Sequence, residues 1–427
     1  GSAAVTTTAH YAALGARDVG GFYEAGRTYR YALPTLSDDD IDATAGLSRA
    51  LLIQNAGLSC ATVRVLAVAE CGRTEVCETL TINPGERRTV SASCSLWVGG
   101  AIESDAPLAI LGERWGSGPT LTLPAEPLQR WDEDRWVPDD VSAGSLTLSG
   151  PQFFAGNDGW RSGIVLHNLS RDTEADVKIY FLDRGGDILT TIVLDRICPL
   201  GAVTVTPSMI PTSLPAGFLG GIRVDSRVWW LPDAVVDPPR IAGHVFTVRD
   251  STGQVGFSYP LVPTGAEVER RPAAEQVGLF ALPAISRGTG TEPSTTFVIA
   301  NLMGRPGFTD IAIYMFDQNG LLDIVCQKLN ERQTEYIDLR TWGTLNPGFK
   351  GSALVSALFW EHDLFDERGK LISNDLELAV VSAFRPGPGS SAAPWALPGV
   401  PIPLIQPPPG VNPGIPVCPG GVIGGGP

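Results

Sequence analysis

Three stretches of the chain repeat one order of features, and that repetition limits the fold more than any other property. The first contains ALLIQN (50–55), ATVRVLAV (61–68), LTINPGERRTVSA (80–92) and GGAIESDAPLAIL (99–111). The second contains GIVLHN (163–168), ADVKIYFLDRGG (175–186), IVLDRICPLGAVTV (192–205) and LPAGFLGGIRVDS (214–226). The third contains FVIAN (297–301), TDIAIYMFDQNG (309–320), EYIDL (335–339) and LNPGFKGSALVS (345–356). Asn55, Asn168 and Asn301 close the first run of each, and Ser104, Ser226 and Ser356 fall in the fourth. An Asn at a strand end reads as a turn former, because its side chain bonds the local backbone.

The runs are strand-like. VKIYFL and IAIYMF alternate with period two and carry β-branched and aromatic residues, as half-buried strands do. DRGGD and DQNGL supply the positive-φ positions that hairpin turns need. With 49 Gly and 35 Pro scattered along 427 residues, no segment holds a helical apolar stripe over three turns. The expectation is an all-β chain of three tandem immunoglobulin-like antiparallel β-sandwich domains with extended N- and C-terminal segments. The boundaries are an N-terminal extension at 1–26, sandwiches at 27–130, 131–265 and 266–385, and a Pro/Gly-rich tail at 386–427.

The repeats differ by insertion. After Ser226 the second inserts RVWWLPDAVVDPPR, and after Ser356 the third inserts ALFWEHDLFDERGKLISND. Trp229, Trp230, Phe359 and Trp360 fall at matching places and are candidate contacts for sugar or a partner chain, or else pack on their own domain.

Four of the seven cysteines, Cys60, Cys71, Cys77 and Cys94, crowd into the first repeat. Their spacing fits zinc poorly. A bridged hairpin from Cys71 to Cys77, with Cys60 and Cys94 joining two strands, is the expected disulfide framework; reduced structural thiols are the alternative. Cys198, Cys326 and Cys418 leave an odd number, so one is free or reaches another chain. Oxidised cysteines imply an extracellular or cell-surface location.

The chemistry of common enzymes is missing. No HExxH, GxSxG or Walker loop occurs, and the three residues of WEHD around His362 alternate faces on a strand, so they do not converge. The acidic stretches SDDDID (37–42) and WDED (131–134) lack the spacing of an EF-hand, which leaves no metal or cofactor implied. A formal net charge of −15 argues against nucleic acid as a partner. No apolar run approaches the roughly 20 residues of a membrane span. GSAAVTTTAH at the start reads as a processed end or a cloning scar.

The last feature is the tail, with WALPGVPIPLI (395–405) near its start. WALPGV matches YALPTL (31–36) and FALPAI (280–285), each ahead of a repeat, and so reads as the opening of a domain that is never completed. Val400, Ile402 and Leu404 alternate with prolines, so an extended strand here sends three aliphatic side chains to one face. Burying them contributes about 5–9 kcal/mol, and ordering six residues costs about 1–2 kcal/mol each, a cost that proline reduces. Trp395 and Leu397 complete the candidate interface. Such a strand folds back on its own chain or crosses to a neighbour. In its sandwich-like repeats and Pro-rich terminal extension the chain resembles bacterial surface proteins whose subunits polymerise by strand addition, although it lacks the long apolar N-terminal helix of pilins. The resemblance implies a non-enzymatic subunit of an extracellular filament or surface layer whose partners are copies of itself, with residues 3–14 as a rival donor. The alternative is a monomeric adhesin that binds cell-surface glycans through the inserted aromatics.

Overall fold

The structure is a computed structural model that describes residues 28–32, 48–71, 73–91, 100–115, 121–124, 126–127, 130–132, 135–137, 146–157, 159–170, 173–211, 213–227, 239–249, 254–264, 279–290, 292–302, 308–358, 378–385, 395–398 and 400–401. Among these residues there is no α-helix, and the strands form several antiparallel sheets.

The strands fall into three sets of nine. The first comprises β1 (Tyr29–Ala32), β2 (Ser48–Asn55), β3 (Ala61–Glu70), β4 (Arg73–Ile82), β5 (Arg87–Ser91), β6 (Gly100–Ser104), β7 (Leu108–Trp115), β8 (Leu121–Pro124) and β9 (Glu126–Pro127). A hairpin of β10 (Arg130–Asp132) and β11 (Arg135–Val137) follows. The second set is β12 (Thr147–Asn157), β13 (Trp160–Asn168), β14 (Ala175–Leu182), β15 (Ile188–Ile197), β16 (Ala202–Val205), β17 (Phe218–Arg227), β18 (Ile241–Arg249), β19 (Gln254–Pro260) and β20 (Val262–Pro263). The third is β21 (Leu279–Ser286), β22 (Ser294–Asn301), β23 (Phe308–Asp317), β24 (Gly320–Asn330), β25 (Thr334–Asp338), β26 (Lys350–Leu358), β27 (Leu378–Arg385), β28 (Trp395–Pro398) and β29 (Val400–Pro401).

Each set has one strand order. In the first and third, a five-stranded sheet runs β4-β3-β6-β1-β9 or β24-β23-β26-β21-β29, and a four-stranded sheet runs β5-β2-β7-β8 or β25-β22-β27-β28. The second set follows the same plan, with β12 pairing β13 at Ala155–Arg161 and Asn157–Trp160 to merge its two sheets into one. Period-two alternation supplies the cores. Val63 and Val65, then Val177, Ile179 and Phe181, then Ile311, Ile313 and Met315 all point inward and are buried. Each such side chain contributes about 1.5–3 kcal/mol by leaving water. Gly186 and Gly320 take positive φ in the DRGGD and DQNGL turns.

The repeated asparagines do more than turn the chain. Asn55 accepts the Gly57 N–H through Oδ1, and its Nδ2 donates to the carbonyls of Ser59 and Ile82, at 2.7 and 2.9 Å. Asn168 repeats the pattern with Ser170, Thr173 and Ile197. Asn301 donates to Leu329 and Asn330. Each asparagine therefore ties the end of β2, β13 or β22 to the end of β4, β15 or β24, joining the two sheets. All three are buried.

The serine equivalence holds for two of three. Ser104 lies opposite core residue Val63, and Ser226 opposite core residue Val177. Ser356 lies opposite Ala312, on the other face of its sheet. Core residue Ala357 occupies the matching position, opposite Ile311. A one-residue offset reverses the face a strand residue presents.

WALPGVP proves to be a closing strand, not an opening one. β28 pairs with β27, with Trp395 opposite Phe384 and Leu397 opposite Ser382; β29 then pairs with β21, with Val400 opposite Ala281. Its counterparts are LTLPAEP, where β8 pairs β7 and β9 pairs β1, and SYPLVP, where β19 pairs β18 and β20 pairs β12. Each crosses between sheets through a P-x-x-P step: Pro124–Pro127, Pro260–Pro263 and Pro398–Pro401. These crossing strands lie at the outside of their ladders, where a residue without an N–H is tolerated. Residues 395–401 thus belong with the third set.

Candidate interaction surfaces

The large sheets leave the same strand at the edge in every set: β4, β15 and β24, of ten or eleven residues each. Their aliphatic side chains face water. Val76 on β4, Ile188, Leu189 and Val193 on β15, and Leu321 and Leu322 on β24 are all exposed. On β15 the exposed residues alternate with Ile192 and Leu194, which pack on the core. Beyond β15 no described strand continues the ladder. A long edge with unpaired N–H and C=O groups and outward aliphatics is a template for another strand.

Elsewhere the sets contact one another. β19, at the end of the second set's merged sheet, approaches both β8 and β28, the closing strands of the four-stranded sheets of the first and third sets. Leu66 and Ala101 of the first set pack with Leu169, Ala242 and Leu200 of the second. Between the second and third, Tyr336 bonds to the Gly220 carbonyl at 3.0 Å and stacks under the Arg184 guanidinium, and Thr264 donates to the Leu302 carbonyl.

Cysteine placement departs from expectation. Cys71 bonds Cys198, joining the first and second sets across 127 residues, with Cα atoms 5.0 Å apart. It does not bond Cys77, and the ladder explains why. Cys71 sits at the tip of the β3–β4 hairpin, whereas Cys77 lies four residues beyond Arg73, about 13 Å along the strand. A disulfide needs Cα atoms within about 7 Å. Cys60 is free and exposed, which removes the expected link to Cys94. Cys77 and Cys326 are each disulfide-bonded. Cys94 and Cys418 lie outside the described residues.

Of the proposed tail interface, Trp395 and Leu397 fall in β28 and Val400 in β29, while Ile402 and Leu404 lie outside the described residues. Trp229, Trp230, Phe359 and Trp360 are also outside them. The strands before these aromatics, β17 ending at Arg227 and β26 ending at Leu358, occupy equivalent places in their sheets. His362 and SDDDID are not described either.

Nothing in the local sequence marks His167 and His244 as neighbours. His167 on β13 and His244 on β18 lie on adjacent strands, opposite Ala242 and Val165, and both are buried. Burial pushes His167 down to about 4; burial and the neighbouring His167 push His244 down to about 3. Both imidazoles are neutral at physiological pH. Among the described residues no three His, Cys, Asp or Glu side chains gather as a metal site, and no helix is long and apolar enough to cross a membrane.

No protein-family model matches the chain, and no curated protein matches it significantly.

Proposed function

We propose that the chain is a structural subunit of an extracellular filament or surface layer. It is built of three tandem immunoglobulin-like sandwiches and associates with copies of itself by docking a terminal extended segment on a neighbour's sheet edge. The observation that carries this reading is the β15 edge, where Ile188, Leu189 and Val193 stand in water along a ten-residue strand. Natural sheets blunt such edges with lysine, proline or a covering element. Edge addition gives affinity through the backbone ladder and specificity through alternate side chains. Because Trp395–Pro401 is engaged in its own sheets, residues 1–26 are the donor in this reading. A head-to-tail contact of this kind is heterologous and extends into a filament unless its rotation closes. The Cys71–Cys198 disulfide is in keeping with an oxidising compartment.

The test is an edge variant. Val193→Lys places a charge on an exposed position and leaves the core untouched, so the fold is retained. Loss of polymers in electron micrographs of the variant, with polymers present for the parent chain, supports the reading. Polymers of equal length from both exclude β15 as the acceptor.

A further inference from the structure

The three sets are joined head to tail by one kind of contact, and each end of the molecule exposes one half of it. In every set the long edge strand starts at a hairpin tip and ends in a turn that crosses to the other sheet. The tips lie between β3 and β4, β14 and β15, and β23 and β24. The turns are Asn83–Glu86, Cys198–Gly201 and Asn330–Gln333, where the fourth N–H donates to the first carbonyl at 3.0, 2.8 and 3.1 Å. Their third residues, Gly85, Leu200 and Arg332, all take positive φ. Tip and turn stand at opposite ends of a strand of ten or eleven residues, roughly 35 Å apart.

Each tip meets the turn of the next set. Cys71, at the first tip, is bonded to Cys198, the first residue of the second turn. Leu200 of that turn packs with Leu66 and Ala101 of the first set. At the second joint the Thr334 N–H donates to the Arg184 carbonyl of the tip at 3.0 Å, and a Cβ on Gly186 would lie 2.8 Å from that of Arg332. The loop after each bracing asparagine also takes part. Leu169 packs on the first set and Leu302 on the second, and they are 2% and 7% exposed.

The outer ends carry the same parts uncovered. At the end of the first set Asn83, Pro84 and Gly85 are exposed, and Leu58, in the loop after Asn55, is 90% exposed. At the end of the third set Gln318, Asn319 and Gly320 are exposed beside the exposed Leu321 and Leu322. Among the described residues nothing comes within 4 Å of a Cβ placed on Gly85 or Gly320. The ends also differ in charge. Residues 317–323 hold Asp317 and Asp323 and no base, whereas residues 83–88 hold Arg87 and Arg88 with Glu86.

We propose that the third tip of one copy seats on the Asn83–Glu86 turn and Leu58 of a second copy, repeating between molecules the two joints found within the chain. This joint rests on the reading of the chain as a self-associating subunit, and it sets the direction and spacing of the copies. It uses different surfaces on the two partners, so it is heterologous and propagates. Tyr29 and Val63 both lie opposite Ser104, so β1 begins at the turn end of the first set. The 1–26 donor therefore starts beside the joint. Twenty-six residues extend about 85 Å, beyond the roughly 70 Å of a neighbour's β24 and β15 laid end to end. Each contact raises the effective concentration of the other.

The test is sedimentation velocity of full-chain variants at concentrations where the parent associates. Leu58→Asp sets an anion against the acidic tip, and Gln318→Arg sets a cation against Arg87 and Arg88. Both positions are exposed, so the fold is retained. Each variant is expected to weaken association by roughly tenfold or more, since like charges set together oppose docking. Cys60 supplies a trap, because its thiol is free and lies 3.5 Å from Asn83 Oδ1, beside the place that Cys198 holds in the second turn. A Gln318→Cys chain oxidised in glutathione buffer is expected to give a ladder of multiples of the monomer mass on an unreduced gel. The new thiol is then linked to Cys60, and Cys60→Ser abolishes the ladder. Association of Leu58→Asp equal to the parent's, or a Gln318→Cys chain that stays monomeric on the gel, overturns the joint. Dispersal by Val193→Lys with Leu58→Asp unaffected removes the joint and leaves strand docking standing, whereas a parent chain that never associates removes both.

Discussion

Acidification tests how the second set is built. His167 and His244 are neutral in the folded chain because burial opposes charging them, on the face of β13 and β18 that they share with Val165 and Ala242. In the unfolded chain both titrate near pH 6.5. Their folded values, about 4 and about 3, are depressed, so between those limits the unfolded chain binds more protons and stability falls with falling pH. The stabilisation is fully present above about pH 6.5 and is lost as pH descends through the folded values. At pH 5 each histidine accounts for a loss of about 2 kcal/mol, so the pair accounts for about 4 kcal/mol. Urea unfolding at pH 7.5 and pH 5.0, followed by tryptophan fluorescence, measures this, with Trp160 packed on the core of the second set. Carboxylates titrate mainly below this window. His244→Leu should remove about half of the dependence. Equal stability at the two pH values, or a dependence unchanged in His244→Leu, refutes the reasoning.

Three further outcomes are expected. Asn168→Ala leaves the half-buried carbonyl of Thr173 and the buried carbonyl of Ile197 without this donor, and should lower stability by about 2–4 kcal/mol in chemical denaturation. Gly351→Ala puts a methyl group 2.0 Å from the Phe316 carbonyl oxygen, so β23 and β26 must move apart; a loss of about 1–3 kcal/mol in thermal melts is expected. Deleting residues 386–427 removes β28 and β29 from both sheets of the third set, so limited proteolysis should cleave within residues 279–385 while the first two sets persist.

The all-β class was legible because period-two runs such as VKIYFL bury alternate residues whatever surrounds them. The repeat was legible too, since its asparagines perform one backbone-bracing task at three strand ends. Two features misled. WALPGV was matched to YALPTL and FALPAI by its letters, when the better guide was the P-x-x-P step that ends each set. Pro124–Pro127 and Pro260–Pro263 were visible in the sequence, but their meaning depends on a crossing between sheets. The disulfide was hidden for a different reason: Cys71 and Cys198 are neighbours only because the first and second sets pack together. Nothing in local spacing encodes that contact. Ser356 shows how a one-residue offset in an alignment of strands assigns a side chain to the wrong face. The exposed aliphatics of β15 could be read as strand residues, but not as edge residues, because edge position is a property of the sheet.

Self-association is the claim on which the functional reading stands, and sedimentation velocity of the full chain over a hundredfold concentration range measures it most directly. The account predicts boundaries that move to larger species as concentration rises, and a return to one small species when residues 1–26 are removed. A single 45.2 kDa species at every concentration contradicts it.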